Sequence, residues 1–124
     1  EIIYILKKLI HHNFIKIRIQ IGNNFYLGPG KILLLETILE KGSITAAAKE
    51  LGMSYRKAWN LVKEINEASI TKIINTATGG KGTGGATISK NGLAFIKSFR
   101  KIEKIVLLAS KKEKKYLDKI ISEK

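Results

Sequence analysis

Hydrophobic residues alternate with polar ones in one short stretch of this chain and follow helical spacing in most of the rest. Between positions 14 and 21, isoleucines alternate with lysine, arginine and glutamine. A period of two predicts a strand with one buried face. The Gly-Asn-Asn turn at 22–24 and the aromatic segment at 25–27 predict a returning strand, so this region is expected to form a β-hairpin.

Helical spacing begins after the strand-breaking Gly-Pro-Gly at 28–30. Segment 31–41 predicts an amphipathic helix. Its expected core stripe consists of Ile32, Leu35, Ile38 and Leu39. Segment 43–67 then predicts two short helices joined by a tight turn, which is the arrangement of a helix-turn-helix. The preceding helix would support that motif, because two helices alone bury too little surface.

Three small residues mark the ends of the two short helices. Ser43 and Ser54 can each accept a hydrogen bond from a free backbone N–H in the first turn of the helix that follows. Gly52 can adopt the left-handed conformation that ends the first helix. In a helix-turn-helix the second helix enters the DNA major groove, and its N-terminal residues reach the base edges.

The second helix separates its apolar residues from its polar ones. The residues expected to face the core are Ala58, Leu61, Val62 and Ile65. Arginine suits guanine and asparagine suits adenine by bidentate hydrogen bonding. The DNA-binding residues predicted in this motif are Ser43, Thr45, Ser54, Tyr55, Arg56, Lys57, Asn60 and Lys63. The alternative is that they form a solvated polar face on an ordinary helical domain.

The segment after the motif predicts two strands, 71–76 and 86–89, joined by the sequence TGGKGTGG at 78–85. Such a hairpin is a wing, whose glycines allow close approach to phosphates and whose lysine neutralises one. The residues of the wing that complete the predicted DNA-binding set are Gly80, Lys81, Gly82 and Thr83. A loop without any ligand is the alternative.

The same glycines also match the dinucleotide-binding spacing G-x-G-x-x-G at 80–85. That fingerprint requires a helix N-terminus directly after the loop, whereas a strand is predicted here. The chain also lacks a coherent set of acid, base or metal-binding residues. His11 and His12 are adjacent and so make a poor chelating pair. We therefore expect no enzyme activity, no cofactor and no metal site.

Residues 90–121 predict one long helix, with a break at 110–115 as an alternative. Its apolar positions alternate by four and three, which is typical of a seam that pairs with a second chain. The seam consists of Phe95, Phe99, Ile102, Val106, Ala109, Glu113, Tyr116 and Ile120. We expect a homodimer, with a monomer whose helix packs on its own domain as the alternative. The lysines at 111, 112, 114 and 115 are expected to keep the helix soluble, with contact to DNA as the alternative.

The length and the charge of the chain limit the number of domains and the kinds of partner. The 124 residues suit one domain, predicted as an N-terminal helical segment at 1–12, a DNA-binding domain at 13–90 and a dimerisation helix at 91–124. The net charge of +13 favours a polyanionic partner, and most of it lies after residue 70. The absence of cysteine, of a signal peptide and of a long apolar run leads us to expect a cytoplasmic protein without membrane contact.

Two segments resemble the N-terminal DNA-binding domain of ModE-type molybdate-dependent transcriptional regulators. They are GSITAAAKELGMSYRKAWNLVKEIN at 42–66 and ATGGKGTGGATISKNGLAFI at 77–96. The matching positions in the first are Gly42, Ser43, Ile44, Ala47, Ala48, Ser54, Tyr55, Ala58, Trp59 and Asn66. Those in the second are Thr78, Gly79, Gly80, Lys81, Gly82, Gly84, Gly85 and Gly92. With the hairpin and leading helix the resemblance spans about 14–105.

This resemblance implies a LysR-like winged helix-turn-helix that binds a palindromic promoter site as a dimer. It also implies that the helix from Ser54 faces the groove and that the glycine-rich wing grips the flanking backbone. The family's C-terminal molybdate-binding domains have no counterpart before Lys124, so we expect no molybdate site in this chain. The sequence thus predicts an α+β, mainly helical transcriptional regulator that reads double-stranded DNA. The alternative function is a non-specific architectural nucleic-acid-binding protein.

Overall fold

The computed structural model describes residues 14–77 and 84–122. The elements of these residues are β1 (Ile19–Ile21), β2 (Phe25–Leu27), α1 (Pro29–Lys41), α2 (Ile44–Leu51), α3 (Tyr55–Ala68), β3 (Ile74–Thr76), β4 (Ala86–Ile88) and α4 (Lys90–Ser122). The two pairs of strands form separate antiparallel sheets. The predicted α+β class, mainly helical with small β-hairpins, is confirmed. The helical segment expected at 1–12 lies outside the described residues.

The N-terminal hairpin is shorter than the alternation predicted. Its first strand begins only at Ile19, which pairs with Leu27, and ends at Ile21, which pairs with Phe25. The isoleucines at 15, 17 and 19 are half-buried and the polar residues between them are exposed, as expected. Ile21 is exposed, because the chain turns away from the core at Gly22, whose φ is +65°.

Helix α1 occupies the centre of the core. It begins at Pro29 and ends at Gly42, which adopts the left-handed conformation with φ of +77°. Three of its four predicted core residues are fully buried, but Leu39 is 50% exposed. Leu34 is buried in its place. The predicted stripe was too narrow, because α1 packs on α2 on one side and on β4 and α4 on others.

The helix-turn-helix has the ends that the sequence predicted. The Ser43 hydroxyl accepts a hydrogen bond from the Ala46 N–H at 3.0 Å, and the Ser54 hydroxyl accepts one from the Lys57 N–H at 3.1 Å. Gly52 has φ of +68° and ends α2. A side-chain acceptor at each helix start contributes about 1 kcal/mol. The ends of α2 and α3 are therefore determined by residues within the motif itself.

The wing strands are also shorter than predicted, and an asparagine side chain holds the segment where the first of them begins. Asn66 Oδ1, near the end of α3, accepts hydrogen bonds from the N–H groups of Ile73 and Ile74 at 2.9 and 3.0 Å. Its Nδ2 donates to the Ile74 carbonyl at 2.9 Å. The ladder starts at the second of these residues, Ile74, which pairs with Ile88.

Helix α4 starts against the wing and then continues past the domain. The Ser89 hydroxyl accepts from the Gly92 N–H at 3.0 Å and donates to the Lys72 carbonyl at 2.8 Å. A Cβ on Gly92 would lie 2.7 Å from the Ile73 carbonyl oxygen, so only glycine fits there. The helix is continuous through Ser122, so the alternative of a break at 110–115 is wrong.

The first part of α4 belongs to the core and the rest does not. Ile96 and Phe99 are buried in the common core, and Arg100 forms ion pairs with Glu36 of α1 and with Glu103. Beyond this point the exposed apolar residues of α4 are Ile102, Ile105, Leu108, Tyr116, Leu117, Ile120 and Ile121. Within the described ranges, no helix is both long and apolar enough to cross a bilayer.

Candidate nucleic-acid interface

Helix α3 presents a polar face on the side opposite the core. Ala58, Val62 and Ile65 are buried, whereas the predicted contact residues of the helix are exposed. The exposed residues are Tyr55, Arg56, Lys57, Asn60 and Lys63. The predicted separation of core from polar residues is confirmed, except that Leu61 is only half-buried. Side chains on this face are free to enter a groove of about the width of a helix.

The start of α3 borders a shallow depression of ≈ 320 Å³. Its lining consists of Ser54, Arg56, Lys57, Asn60, Leu61 and Glu64. The carboxylate at its edge does not cancel the positive charge, because Glu64 Oε2 lies 3.2 Å from Lys31 Nζ. Lys31 also donates to the Tyr26 carbonyl at 2.6 Å, so the hairpin helps hold this ion pair. The surface therefore remains net positive where phosphates would approach.

A second groove, of ≈ 250 Å³, separates the helix-turn-helix from the wing. It is lined by Ile44, Thr45, Tyr55, Trp59, Thr76, Ala77, Gly84, Gly85 and Ala86. The structure thus brings Thr45 and Tyr55 together, but it places Arg56, Lys57 and Asn60 on the other depression. Neighbouring residues of α3 line the two depressions, Tyr55 and Trp59 the second and Arg56 and Asn60 the first.

Trp59 is an exposed residue of this surface that the predicted DNA-binding set did not include. Its side chain is 43% exposed, and Tyr55 beside it is 52% exposed. The Lys63 ammonium lies 5.6 Å from the centre of the Trp59 ring, within range of a cation–π contact. The helical spacing could have indicated that Trp59 is exposed, because Trp59 falls beside the polar residues of α3 rather than among the predicted core residues. A large aromatic side chain on a polar face is typical of a binding surface.

Backbone hydrogen bonds join the root of the wing to the start of the helix-turn-helix. The Ala86 N–H donates to the Gly42 carbonyl at 2.8 Å, and the Ala77 N–H donates to the Gly85 carbonyl at 2.9 Å. A Cβ on Gly85 would lie 3.3 Å from the Gly42 oxygen, so the approach is close. The predicted contact residues Gly80, Lys81, Gly82 and Thr83 lie outside the described residues.

The two serines of the predicted set, Ser43 and Ser54, also cap helices. Their oxygens accept the capping hydrogen bonds of α2 and α3, which leaves each hydroxyl hydrogen available to a phosphate or a base. Ser43 is half-buried and Ser54 is exposed, so Ser54 is the more accessible of the two. Within residues 14–77 and 84–122, no three histidine or acidic side chains gather as a metal site.

A helix-turn-helix with an exposed polar second helix and a wing root beside it defines a winged-helix type of protein. The chain is homologous to part of the ModE transcriptional regulators, as the two motif segments predicted. It is 35% identical over 85 residues to the DNA-binding transcriptional dual regulator ModE of Escherichia coli K12, covering 68% of this chain and 32% of that protein.

Other relatives agree with this assignment. The molybdenum-pterin-binding protein MopB of Rhodobacter capsulatus is 38% identical over 77 residues, which are 62% of this chain and 28% of MopB. The transcriptional regulator ModE of Haemophilus influenzae is 32% identical over 75 residues, which are 60% of this chain and 29% of that protein. The chain thus spans about a third of the length of these relatives. No protein-family model matches the chain.

Proposed function

We propose that this protein is a transcriptional regulator that binds double-stranded DNA in a sequence-specific manner, as a dimer on a palindromic promoter site. The observation that carries the proposal is the exposed polar face of α3 beside the root of a wing, in a chain homologous to part of the ModE regulators. The net charge of +13 suits a polyanionic partner. The proposal requires no cofactor and no molybdate in this chain, and it places the protein in the cytoplasm with its DNA.

The proposed mechanism divides the surface between two kinds of contact. Arg56 and Asn60, one turn apart at the start of α3, are assigned to base edges, where bidentate hydrogen bonds specify sequence. The remaining residues of the predicted set are assigned to phosphates, which fix position without reading sequence. Trp59 would contact the sugar or the methyl groups of the same strand, since its ring lies between the helix and the wing root.

The dimer is proposed through the exposed apolar side of α4. On a helical projection, Ile102, Ile105, Ala109, Tyr116 and Ile120 lie on one side of the helix. All five are exposed, although four carry large apolar side chains. Large apolar side chains in a row at coiled-coil spacing bury themselves against a second helix. A dimer that binds two half-sites on one face of the DNA needs its α3 helices about 34 Å apart, one turn of DNA.

The proposal is tested by selecting duplexes from genomic DNA and comparing their affinity with that of scrambled DNA at about 150 mM salt. A regulator is expected to bind its site some ~10³-fold or more tightly than scrambled sequence. Recovery of a motif with two-fold symmetry would support the dimer as well. A selection without a motif, with affinity that collapses as salt rises, would instead indicate the architectural alternative.

Replacing Arg56 by alanine is expected to weaken binding to the selected site by about 1–3 kcal/mol and to relax the preference at one base pair. The physical reason is the loss of a bidentate contact to one base. Lys49→Ala is the matched control, because Lys49 is an exposed lysine of the other helix of the motif and its loss changes the net charge equally. Binding isotherms on the site and on single-base variants provide the measurement. An equal loss on every sequence would show that Arg56 contacts only the backbone.

Replacing Ile105 by glutamate is expected to convert the dimer to a monomer at micromolar concentration, because a charge would be buried in the proposed contact between the exposed apolar sides of two α4 helices. Leu108→Glu is the matched control. Leu108 is 61% exposed and Ile105 is 56% exposed, but Leu108 lies outside this proposed contact. Sedimentation velocity measures the mass of each variant. If both variants remain dimers, the contact surface lies elsewhere than on this side of α4.

A further inference from the structure

Helix α4 carries a row of lysines that the proposed function does not use. Seven of its nine lysines fall within about a quarter of the helix circumference at 3.6 residues per turn, and the six that follow Lys90 are here called the lysine stripe. The stripe consists of Lys97, Lys101, Lys104, Lys111, Lys115 and Lys119. All six are exposed. From first to last the row extends about 33 Å along the helix axis, at 1.5 Å per residue.

Acidic residues of the same helix do not neutralise this row. Glu103 is bound by Arg100 at 2.6 Å, and Asp118 is bound by Lys114 at 2.7 Å. In the described part of the chain, the ion pairs of α4 thus use cations that are not members of the stripe. Glu113 projects toward the apolar seam, on a different side of the helix. The stripe is therefore a positively charged surface. Its lysine ammonium groups repel one another, and an anion bound against them would reduce this repulsion.

The position of the stripe separates it from the face of α3. The order of packing is α4 on α1, α1 on α2 and α2 on α3. The side of α4 that meets α1 carries Phe99 and Arg100. The stripe begins beside Arg100 and lies about a third of a turn or more away from Phe99, so its six lysines point to solvent. It also lies to one side of the apolar seam, so pairing of two α4 helices leaves it accessible.

We propose that the lysine stripe binds the phosphate backbone of a second DNA duplex, so that the protein holds two duplexes at once. A straight row of ammonium groups on a rigid helix matches a straight, regularly charged polyanion. Double-stranded DNA carries one negative charge per ~1.7 Å of axis, and lysine binds phosphates as a point charge without reading sequence. The contact is thus non-specific, and it is independent of whether α3 reads a particular site.

The test is a two-duplex capture with random-sequence DNA. One ~20-bp duplex is immobilised, the protein is added, and capture of a second, labelled ~20-bp duplex is measured. The stripe variant is Lys104→Gln with Lys111→Gln. Its charge-matched control is Lys16→Gln with Lys49→Gln, two exposed lysines outside α4. A third variant, Lys57→Gln with Lys63→Gln, weakens the face of α3. Thermal unfolding confirms that each variant is folded.

Wild type and the control pair are expected to capture the second duplex, and the stripe variant is expected to reduce capture about tenfold or more. In the salt dependence of binding, loss of two phosphate contacts lowers the slope by about 1.8. Capture that survives in the stripe variant but disappears in the α3 variant would mean that two α3 faces of a dimer join the duplexes, which overturns the proposal. No capture by wild type would overturn it too. Because both duplexes are random, failure to find an operator does not affect this test.

Discussion

Replacing Asn66 by alanine is expected to destabilise the fold by about 2–4 kcal/mol, although Asn66 is not a hydrophobic core residue. Its amide occupies three backbone hydrogen bonds, two as acceptor from Ile73 and Ile74 and one as donor to the Ile74 carbonyl. Both isoleucines are buried, so water cannot replace the lost partner. Each buried N–H left without an acceptor costs about 1–3 kcal/mol. Urea unfolding measures the change in free energy.

Asn60→Ala is the natural control, since it removes the same side chain from the exposed face of the same helix. It is expected to change stability by no more than about 0.5 kcal/mol while weakening DNA binding. Asn66→Asp keeps the acceptor but loses the donor, so its stability should fall between wild type and Asn66→Ala. If Asn66→Ala and Asn60→Ala unfold at the same urea concentration, the amide does not hold the wing strand.

Replacing Arg100 by methionine is expected to cost about 3 kcal/mol, because it leaves two largely buried carboxylates without their counter-charge. Arg100 Nε and Nη2 donate to Glu36 at 2.9 and 2.6 Å, and Nη1 donates to Glu103 at 2.6 Å. Burial opposes the charge on Arg100, but the hydrogen bonds to Glu36 and Glu103 outweigh it and raise the pKa of the guanidinium. With a raised pKa the contribution of the guanidinium is fully present below the pKa that it has in the unfolded chain, and it is lost as the pH rises in strong alkali.

Lys114→Met tests whether any lost ion pair on α4 has the same effect. Lys114 bonds Asp118 at 2.7 Å on an exposed part of the helix, where such a pair contributes at most about 0.5 kcal/mol. Adding Glu36→Gln to Arg100→Met is expected to recover part of the loss, since one unpaired charge disappears. Guanidinium unfolding is unsuitable because it screens charge, so urea is used. A loss from Arg100→Met no larger than that from Lys114→Met would show that α4 is held by Phe99 and its neighbours alone.

Local features of the sequence were sufficient to predict the helix-turn-helix. Ser43, Ser54 and Gly52 act through hydrogen bonds and dihedral angles within a few residues of themselves, so their roles follow from spacing. The polar face of α3 followed from its period for the same reason. The assignment of individual residues of that face to bases or phosphates stays a prediction, because it depends on a DNA duplex.

Features that depend on tertiary contacts were predicted poorly. Leu39 was placed in the core and Leu34 was not, because the packing of α1 on several neighbours is invisible in its own period. Trp59 was treated as a matching motif residue and not as a surface residue. The groove beside it is formed by residues of both the helix-turn-helix and the wing root, which are distant from each other in the sequence. The pairing of Arg100 with Glu36 joins residues far apart in the chain, and charge alone gave no reason to select it.

The hydrogen bond from the Ala86 N–H to the Gly42 carbonyl has a consequence for how such proteins can diverge. It uses no side chain, so substitutions at positions 78–83 leave this bond unchanged. Under the proposed function, length, charge and glycine content of that segment can then change between lineages without disturbing α3. Preference for the flanking backbone and preference for the bases would then be inherited separately, and new target sites would arise by altering one of them at a time.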